Sequence, residues 1–311
     1  MKSVTISNQL VKSQSTLSQN LFDKFMQFLD VAPTTVKTYK TGVKRFAEYL
    51  KVNGISAPTS QTVIDFKRAL TDTGRKSSTV AIYLAALRRF FTWTASENLF
   101  PNIATGIKAP KLNRGHKKDC FSASQLKGIL RSIDRSDREG MRNYAIMALM
   151  ATGGLRTIEI SRAKIEDLRT VGGVPVLFVQ GKGRTDKADF VKVPAKVEEA
   201  IRQYLKMRGK VDATEALFVS ESRRNRGECL TTRSISRLCK LAMKNAGFDS
   251  SRLTAHSLRH SAVTLALLKG ADITEAQAFA RHSSMDTTQI YNHAVNRMKS
   301  NIENSIADEI F

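Results

Sequence analysis

The sequence predicts a mainly α protein with a small antiparallel β-sheet, divided into two domains. Three observations predict it. Apolar residues recur every three or four positions through most of the chain, as on one face of a helix. Only two segments, VPVLFVQ (174–180) and ADFVKVP (188–194), carry the composition of strands, and they flank GKGRTDK as the arms of a hairpin would. Between two helical regions, residues 107–118 hold one proline, one glycine, five cations and no acid, which marks a basic linker.

In chain order, residues 1–18 are polar and serine-rich and read as a loose arm. Residues 19–106 read as a helical domain. Val36, Tyr39, Val43, Phe46 and Leu50 form one apolar stripe, with Lys37, Lys40, Lys44 and Arg45 between them. KSSTVAIYLAALRRFFTW (76–93) repeats the arrangement, with Val80, Tyr83, Leu84, Leu87 and Phe91 inward and Arg88 and Arg89 alongside. A charge run on a helix is ordinarily a solvated face; two such helices in one small domain suggest a surface that meets phosphates. Lys111, Arg114, Lys117 and Lys118 of the linker extend the set.

Residues 119–311 read as the second domain. SASQLKGILRSI has the form of a capped helix, and NYAIMALMATGGLRTIEISRA that of a buried one interrupted at Gly153–Gly154. The hairpin follows, and helices resume at 195. Ser283, with Asp286 three residues on, reads as a helix start that places His282 before the helix and Tyr291 within it. Val295, Met298, Ile302, Ile306 and Ile310 form a last helical stripe, expected as a tail helix over 295–310.

Composition narrows the function. The formal net charge is +22, from 50 Lys and Arg against 28 Asp and Glu. That excess points to a polyanionic partner, nucleic acid ahead of an anionic membrane. Hydrophobic content of 41% is enough for a buried core. Three cysteines (Cys120, Cys229, Cys239) at no metal-ligand spacing fit a reduced, cytoplasmic protein. No stretch approaches the roughly 18 apolar residues of a membrane span, and the first residues lack the apolar run of a signal peptide.

The metal and nucleotide readings have little support. His256 and His260 are four apart, as in a zinc-binding helix, but Ser257 stands where that motif has its glutamate. No carboxylate cluster suggests a two-metal site, and the GKG at 181–183 lacks the flanking residues of a phosphate-binding loop. Cations and one phenol remain. A phosphodiester passing through a pentacoordinate transition state gathers charge on its non-bridging oxygens. Without a metal, guanidinium forks are suited to meet it. The leaving oxygen needs a proton donor and a hydroxyl nucleophile an acceptor. Arg156, Lys182, His256, Arg259, His282 and Tyr291 are the candidates, all in the second domain.

Four segments then carry a family resemblance. ATGGLRTIEI resembles the first arginine box of the tyrosine recombinases, the phage-integrase and Xer-type family. HSLRHSAVT resembles its His-x-x-Arg box, HSSMDTTQIYNH its closing histidine and nucleophilic tyrosine, and VQGKGRTDKADFVKVP its lysine-bearing hairpin. The four occur in the family's order, and the likeness extends more loosely over the helical domain. The resemblance implies a two-domain clamp, with a helical SAM-like core-binding domain ahead of an α+β catalytic domain. It implies a site-specific recombinase that works through a 3′-phosphotyrosine, for integration and excision of a mobile element or Xer-type resolution, with no cofactor and no metal. A DNA-binding relative without activity and a type IB topoisomerase-like relaxase are the alternatives.

By that resemblance Tyr291 attacks the phosphate and Arg156 and Arg259 hold its oxygens. Lys182 protonates the leaving oxygen, with Lys187 and Lys192 as neighbouring alternatives. His256 acts in proton transfer with the tyrosine, His282 hydrogen-bonds the phosphate, and Glu159 orients the site. His260 and His293 are read as structural. The implied partners are double-stranded DNA with paired inverted core sites, three further copies of the chain in a tetramer on DNA, and an accessory DNA-bending or directionality protein. One departure stands out: family members commonly have Leu-Gly before the closing histidine, and here the pair is Ala280-Arg281.

Overall fold

A computed structural model of the chain describes residues 19–111, 119–181 and 183–311. The expected arm at 1–18, and Arg114, Lys117, Lys118 and Lys182, lie outside the described residues. The chain divides into two compact units, Met1–Arg114 and Gly115–Phe311.

The first unit is helical: α1 (Gln19–Phe28), α2 (Pro33–Val52), α3 (Ser60–Asp72) and α4 (Ser77–Ser96). Pro33 opens α2, where its missing N–H costs nothing. Thr59 and Thr62 close a capping box at the start of α3. The predicted stripes face inward. Val43 and Phe46 of α2 and Val80, Leu84, Leu87 and Phe91 of α4 are buried, with Val36, Tyr39, Leu50 and Tyr83 packed against them. Helices α2 and α4 approach closely at Gly42, where a Cβ would lie 3.0 Å from that of Ala86 and 3.2 Å from the Tyr83 Cα. Of the cations beside these stripes, Lys37, Lys40, Lys44, Arg45 and Arg89 are exposed, as is Lys111. Arg45 pairs with Glu48 at 2.9 Å. Arg88 is half-buried and donates to the Ile107 carbonyl at 2.6 Å.

The second unit begins with α5 (Ala123–Arg131), capped by Ser122 and Gln125 in reciprocal hydrogen bonds, and the largely buried α6 (Arg138–Gly153). Gly154 ends α6 in the left-handed region at φ 58°, which a side chain would resist. The short α7 (Thr157–Arg162) and a 3-10 turn lead to β1 (Leu168–Val171), β2 (Val174–Val179) and β3 (Asp189–Lys192). The three strands form one antiparallel sheet in the order β1-β2-β3. The predicted hairpin is β2 and β3, with Phe178 opposite Phe190 and their rings 5.7 Å apart. Strand β1 is not among those the sequence predicts. It has four residues, three of them exposed, too short and too wet for an alternation to register. Its turn signal was present, since Gly172 and Gly173 both adopt positive φ as a two-residue hairpin turn requires.

Helices α8 (Ala195–Arg208), α9 (Thr232–Asn245), α10 (Ala255–Leu268), α11 (Ile273–Ala280), α12 (Met285–Lys299) and α13 (Ile302–Ile310) complete the unit. Two expectations are corrected here. Helix α12 is capped by Ser284, not Ser283, through its hydroxyl and the Asp286 N–H at 3.2 Å. The continuous tail helix expected over 295–310 is two helices, interrupted at Ser300–Asn301. The Ser300 hydroxyl competes for the backbone, accepting from Ile302 N at 3.4 Å, and the Asn301 side-chain oxygen accepts from the Asn304 side-chain amide at 2.6 Å.

The main core gathers α5 to α10 and the sheet around α6. A smaller core of Val263, Leu267, Ala276, Ala280, Tyr291 and Val295 joins α10, α11 and α12. Among the described residues, no helix is long and apolar enough to cross a membrane, and no group of His, Cys, Asp and Glu could hold a metal ion.

Candidate active site

The site is built around the end of α6. Once Gly154 has turned the chain out of that helix, Leu155 is buried and Arg156 takes an extended conformation as the cap of α7. Glu159, one turn on, is 1% exposed and binds Arg156 twice. Its Oε2 accepts from the Arg156 backbone N–H at 2.8 Å and its Oε1 from Arg156 Nη1 at 2.9 Å. The arginine fork is thereby fixed while its side chain stays 28% exposed.

Helix α10 supplies the second group. It starts at a capping box of Thr254 and Ser257, so His256, Arg259 and His260 follow within one turn. Arg259 is 1% exposed and donates to the carbonyls of Gly154 and Ala280, tying α10 to both the end of α6 and the end of α11. Burial lowers its pKa, as do the neighbouring guanidinium charges of Arg156 and Arg281.

The third group lies where α11 passes into α12. His282 is held by its backbone N–H to the Gln277 carbonyl at 3.1 Å and by Nδ1 against Oγ1 of the fully buried Thr288 at 2.9 Å. Tyr291, one helical face further along α12, is 3% exposed. Its ring stacks at 5.9 Å on that of His282 and lies 5.0 Å from that of His260, which in turn meets His256 at 4.5 Å.

The charges act consistently on these groups. Burial pushes the His282 imidazole down to about 4, helped by Arg259, Arg156, Arg281 and His256, so it is neutral at pH 7. Burial raises the Tyr291 phenol to about 12 against the pull of Arg259 and Arg156. Burial alone would push the Glu159 carboxyl up; the Arg281 charge, the Arg156 N–H and the Arg156 charge outweigh it and hold the group below the ordinary range. The arrangement therefore sets positive forks and a neutral imidazole around a buried phenol. It suits stabilisation of an anion that accumulates charge during reaction.

Arg156, Glu159, His256, Arg259, His282 and Tyr291, read separately from the sequence, are thus brought together. Lys182 lies outside the described residues. Of its alternatives, Lys187 binds the buried Asp167 carboxylate at 2.5 Å, and Lys192 is exposed on β3. Three neighbours were missed. His260, read as structural, sits against the Tyr291 ring; its spacing of four from His256 was the available signal. Thr288 carried no signal. Arg281, noted only as a departure, enters the site through Glu159 at 2.9 Å.

Known proteins resemble this chain over both units. The Phage integrase family model matches residues 120–297, and the Phage integrase, N-terminal SAM-like domain matches 22–98. Tyrosine recombinase XerD of Proteus mirabilis is 30% identical over 310 residues, covering 93% of this chain and 95% of that protein. XerD of Listeria monocytogenes is 27% identical over 288 residues, covering 88% and 94%. Among solved structures, XerH recombinase bound to palindromic difH substrate superposes with a TM-score of 0.72 at 22% identity, covering 97% of this chain and 90% of that one. A lambda integrase dimer bound to a COC′ core site gives 0.66 at 18%, covering 85% and 94%. With both units matched in order and the motif side chains meeting at one place, the chain belongs to the phage integrase family, the tyrosine recombinases.

Proposed function

We propose that this tyrosine recombinase cuts and rejoins DNA at specific sites through Tyr291. A bond forms between the tyrosine Oη and the scissile phosphorus, and the bond from phosphorus to the 5′ oxygen breaks. The products are a 3′-phosphotyrosine and a free 5′ hydroxyl. Attack by the 5′ hydroxyl of a second duplex reverses the step and joins the strands. The phosphodiester energy is kept in the covalent intermediate. Arg156 and Arg259 meet the non-bridging oxygens, Lys182 protonates the leaving oxygen, His256 relays the tyrosine proton and His282 hydrogen-bonds the phosphate. Glu159 fixes Arg156.

One observation carries the reading: three stretches far apart in sequence converge so that Arg156, Arg259 and His282 surround a single tyrosine. The exposed cations Lys37, Lys40, Lys44, Arg45, Arg89 and Lys111, with Arg88, Arg114, Lys117 and Lys118, supply phosphate contacts that set the register on the duplex. Relatives solved on palindromic and core-site DNA support paired inverted sites as the target. Four copies assemble on two such sites, helped by an accessory DNA-bending or directionality protein, on the nucleoid in a bacterial cytoplasm. The two units correspond to a core-binding domain (19–106) and a catalytic domain (119–311) joined by the basic linker.

The test begins with a duplex selected by binding from a random pool. A nicked version of that duplex traps the covalent intermediate, because the short 5′ fragment diffuses away. Wild-type protein should form a denaturation-resistant adduct and exchange strands between two sites. Tyr291→Phe should bind equally well and form none. A phosphotyrosine mapped to another tyrosine would sink the assignment.

A further inference from the structure

Arg281 stands where backbone and side chain make opposite demands. Its φ of 52° and ψ of 48° lie in the left-handed region, which favours glycine and crowds an L side chain. Asn98 is the other described non-glycine residue at positive φ, and asparagine tolerates that conformation far better than arginine. The arginine side chain at this strained position is nevertheless only 8% exposed and engages the site through both Nη atoms, while its buried Nε has no hydrogen-bond partner among the described residues.

Its bonds converge on Arg156. Arg281 Nη2 donates to Glu159 Oε2 at 2.9 Å and to the Gly154 carbonyl at 3.3 Å, and Nη1 donates to the Phe279 carbonyl at 2.9 Å. Its own carbonyl accepts from Arg156 Nη2 at 3.2 Å. Arg156 is therefore reached twice, once through the Glu159 carboxylate and once directly. The charge balance matters equally. A buried carboxylate facing a single guanidinium forms a neutral pair, and Arg156 would then present little net charge to a phosphate. With Arg281 on the second oxygen, the trio of Arg156, Glu159 and Arg281 keeps one net positive charge in a buried setting, where it is weakly screened.

We propose that Arg281 is a positioning residue for DNA cleavage: by occupying Glu159 it leaves the charge of Arg156 available to the scissile phosphate and fixes the Arg156 fork. The proposal rests on Tyr291 and Arg156 acting on that phosphate. It explains why a strained turn carries an arginine in place of the glycine its backbone prefers.

The test compares wild type, Arg281→Gly and Arg281→Lys as full chains on the selected nicked duplex. Arg281→Gly suits the backbone, so the variant should fold, with a melting temperature at or above that of wild type, and bind DNA within about threefold. Its single-turnover rate of adduct formation at saturating protein should fall at least tenfold, and Arg281→Lys should recover part of that loss. A duplex with a neutral methylphosphonate at the scissile position carries less charge to stabilise, so the deficit of Arg281→Gly should shrink there. A purely structural role would leave the deficit unchanged on that duplex. Equal adduct rates for wild type and Arg281→Gly, or a deficit identical on both duplexes, would overturn the proposal. Failure of wild type itself to form an adduct would instead overturn the reading of Tyr291, and this proposal with it.

Discussion

Arg259 donates from Nη1 to the carbonyl of Gly154, 105 residues away in the chain. The same glycine ends α6 and sends the chain on to Arg156 two residues later. The two arginines assigned to the phosphate are thus anchored at one turn, yet their surroundings differ. Arg259 is buried at 1% exposure, and the Arg156 side chain is 28% exposed.

That difference separates their variants. Arg156→Ala and Arg259→Ala should each slow adduct formation by about 10²–10³-fold, the range for removing one donor that meets transition-state charge. Arg259→Ala should also weaken the fold by ~2–4 kcal/mol, more than Arg156→Ala, because it strips a donor from two buried carbonyls and leaves a void, whereas Glu159 keeps its bond from Arg281. Single-turnover cleavage and urea denaturation measure the two effects. Similar destabilisation by both variants, or a loss of DNA binding with cleavage unchanged, would contradict these roles.

Lys182 is assigned to the leaving oxygen, and Lys187 is occupied by Asp167. Replacing the bridging 5′ oxygen by sulfur provides a leaving group that needs little protonation. Lys182→Ala should therefore cleave the sulfur-bridged duplex at close to the wild-type rate, while Arg156→Ala stays slow on it. Rescue of Lys187→Ala in place of Lys182→Ala would move the role.

His282 gives a pH signature. Its folded pKa is depressed from 6.5 to about 4, so protonation favours the unfolded chain. Its contribution to stability is fully present above about pH 6.5 and is lost as pH falls towards about 4. Urea midpoints measured between pH 7.5 and 4.5 should fall more steeply for wild type than for His282→Gln. Parallel curves would show that this imidazole is not held neutral by its surroundings.

Much of this was legible beforehand because it depends on local pattern. The stripes of α2 and α4, the stop at Gly154 and the β2–β3 hairpin each follow from spacing within a short window. The motif residues were picked out by resemblance to the family's boxes, and the structure gathers Arg156, Arg259, His282 and Tyr291. What escaped depends on separation in space or on weak local competition. β1 is an exposed edge strand, so its residues alternate little. The split at Ser300–Asn301 turns on one serine hydroxyl rivalling the backbone within an otherwise continuous stripe. The place of Arg281 is set by Glu159, 122 residues earlier in the chain, and no window reveals that pair.

The split tail makes a separable prediction. Ile302, Ile306 and Ile310 of α13 are 61%, 51% and 68% exposed, so the helix owes little to its own unit. Val295 of α12, by contrast, is buried beside Tyr291. Ending the chain at Ser300 should leave the melting temperature nearly unchanged and binding to a single site intact. Pairing of protomers, and of sites into a cyclic tetramer, should fail if α13 docks on the next protomer. Gel shift and light scattering report both. Normal synapsis by the shortened chain would rule out docking in trans, and a collapsed melting temperature would indicate packing in cis.

Tyr291 belongs to the small core of α10, α11 and α12, and only 3% of it is exposed. In the nucleophilic role proposed above, a phenol buried in this way must be uncovered before it can meet a phosphorus atom on a duplex. The core that holds Val263, Leu267, Val295 and Tyr291 together therefore sets how readily that phenol is uncovered as well as contributing to the fold.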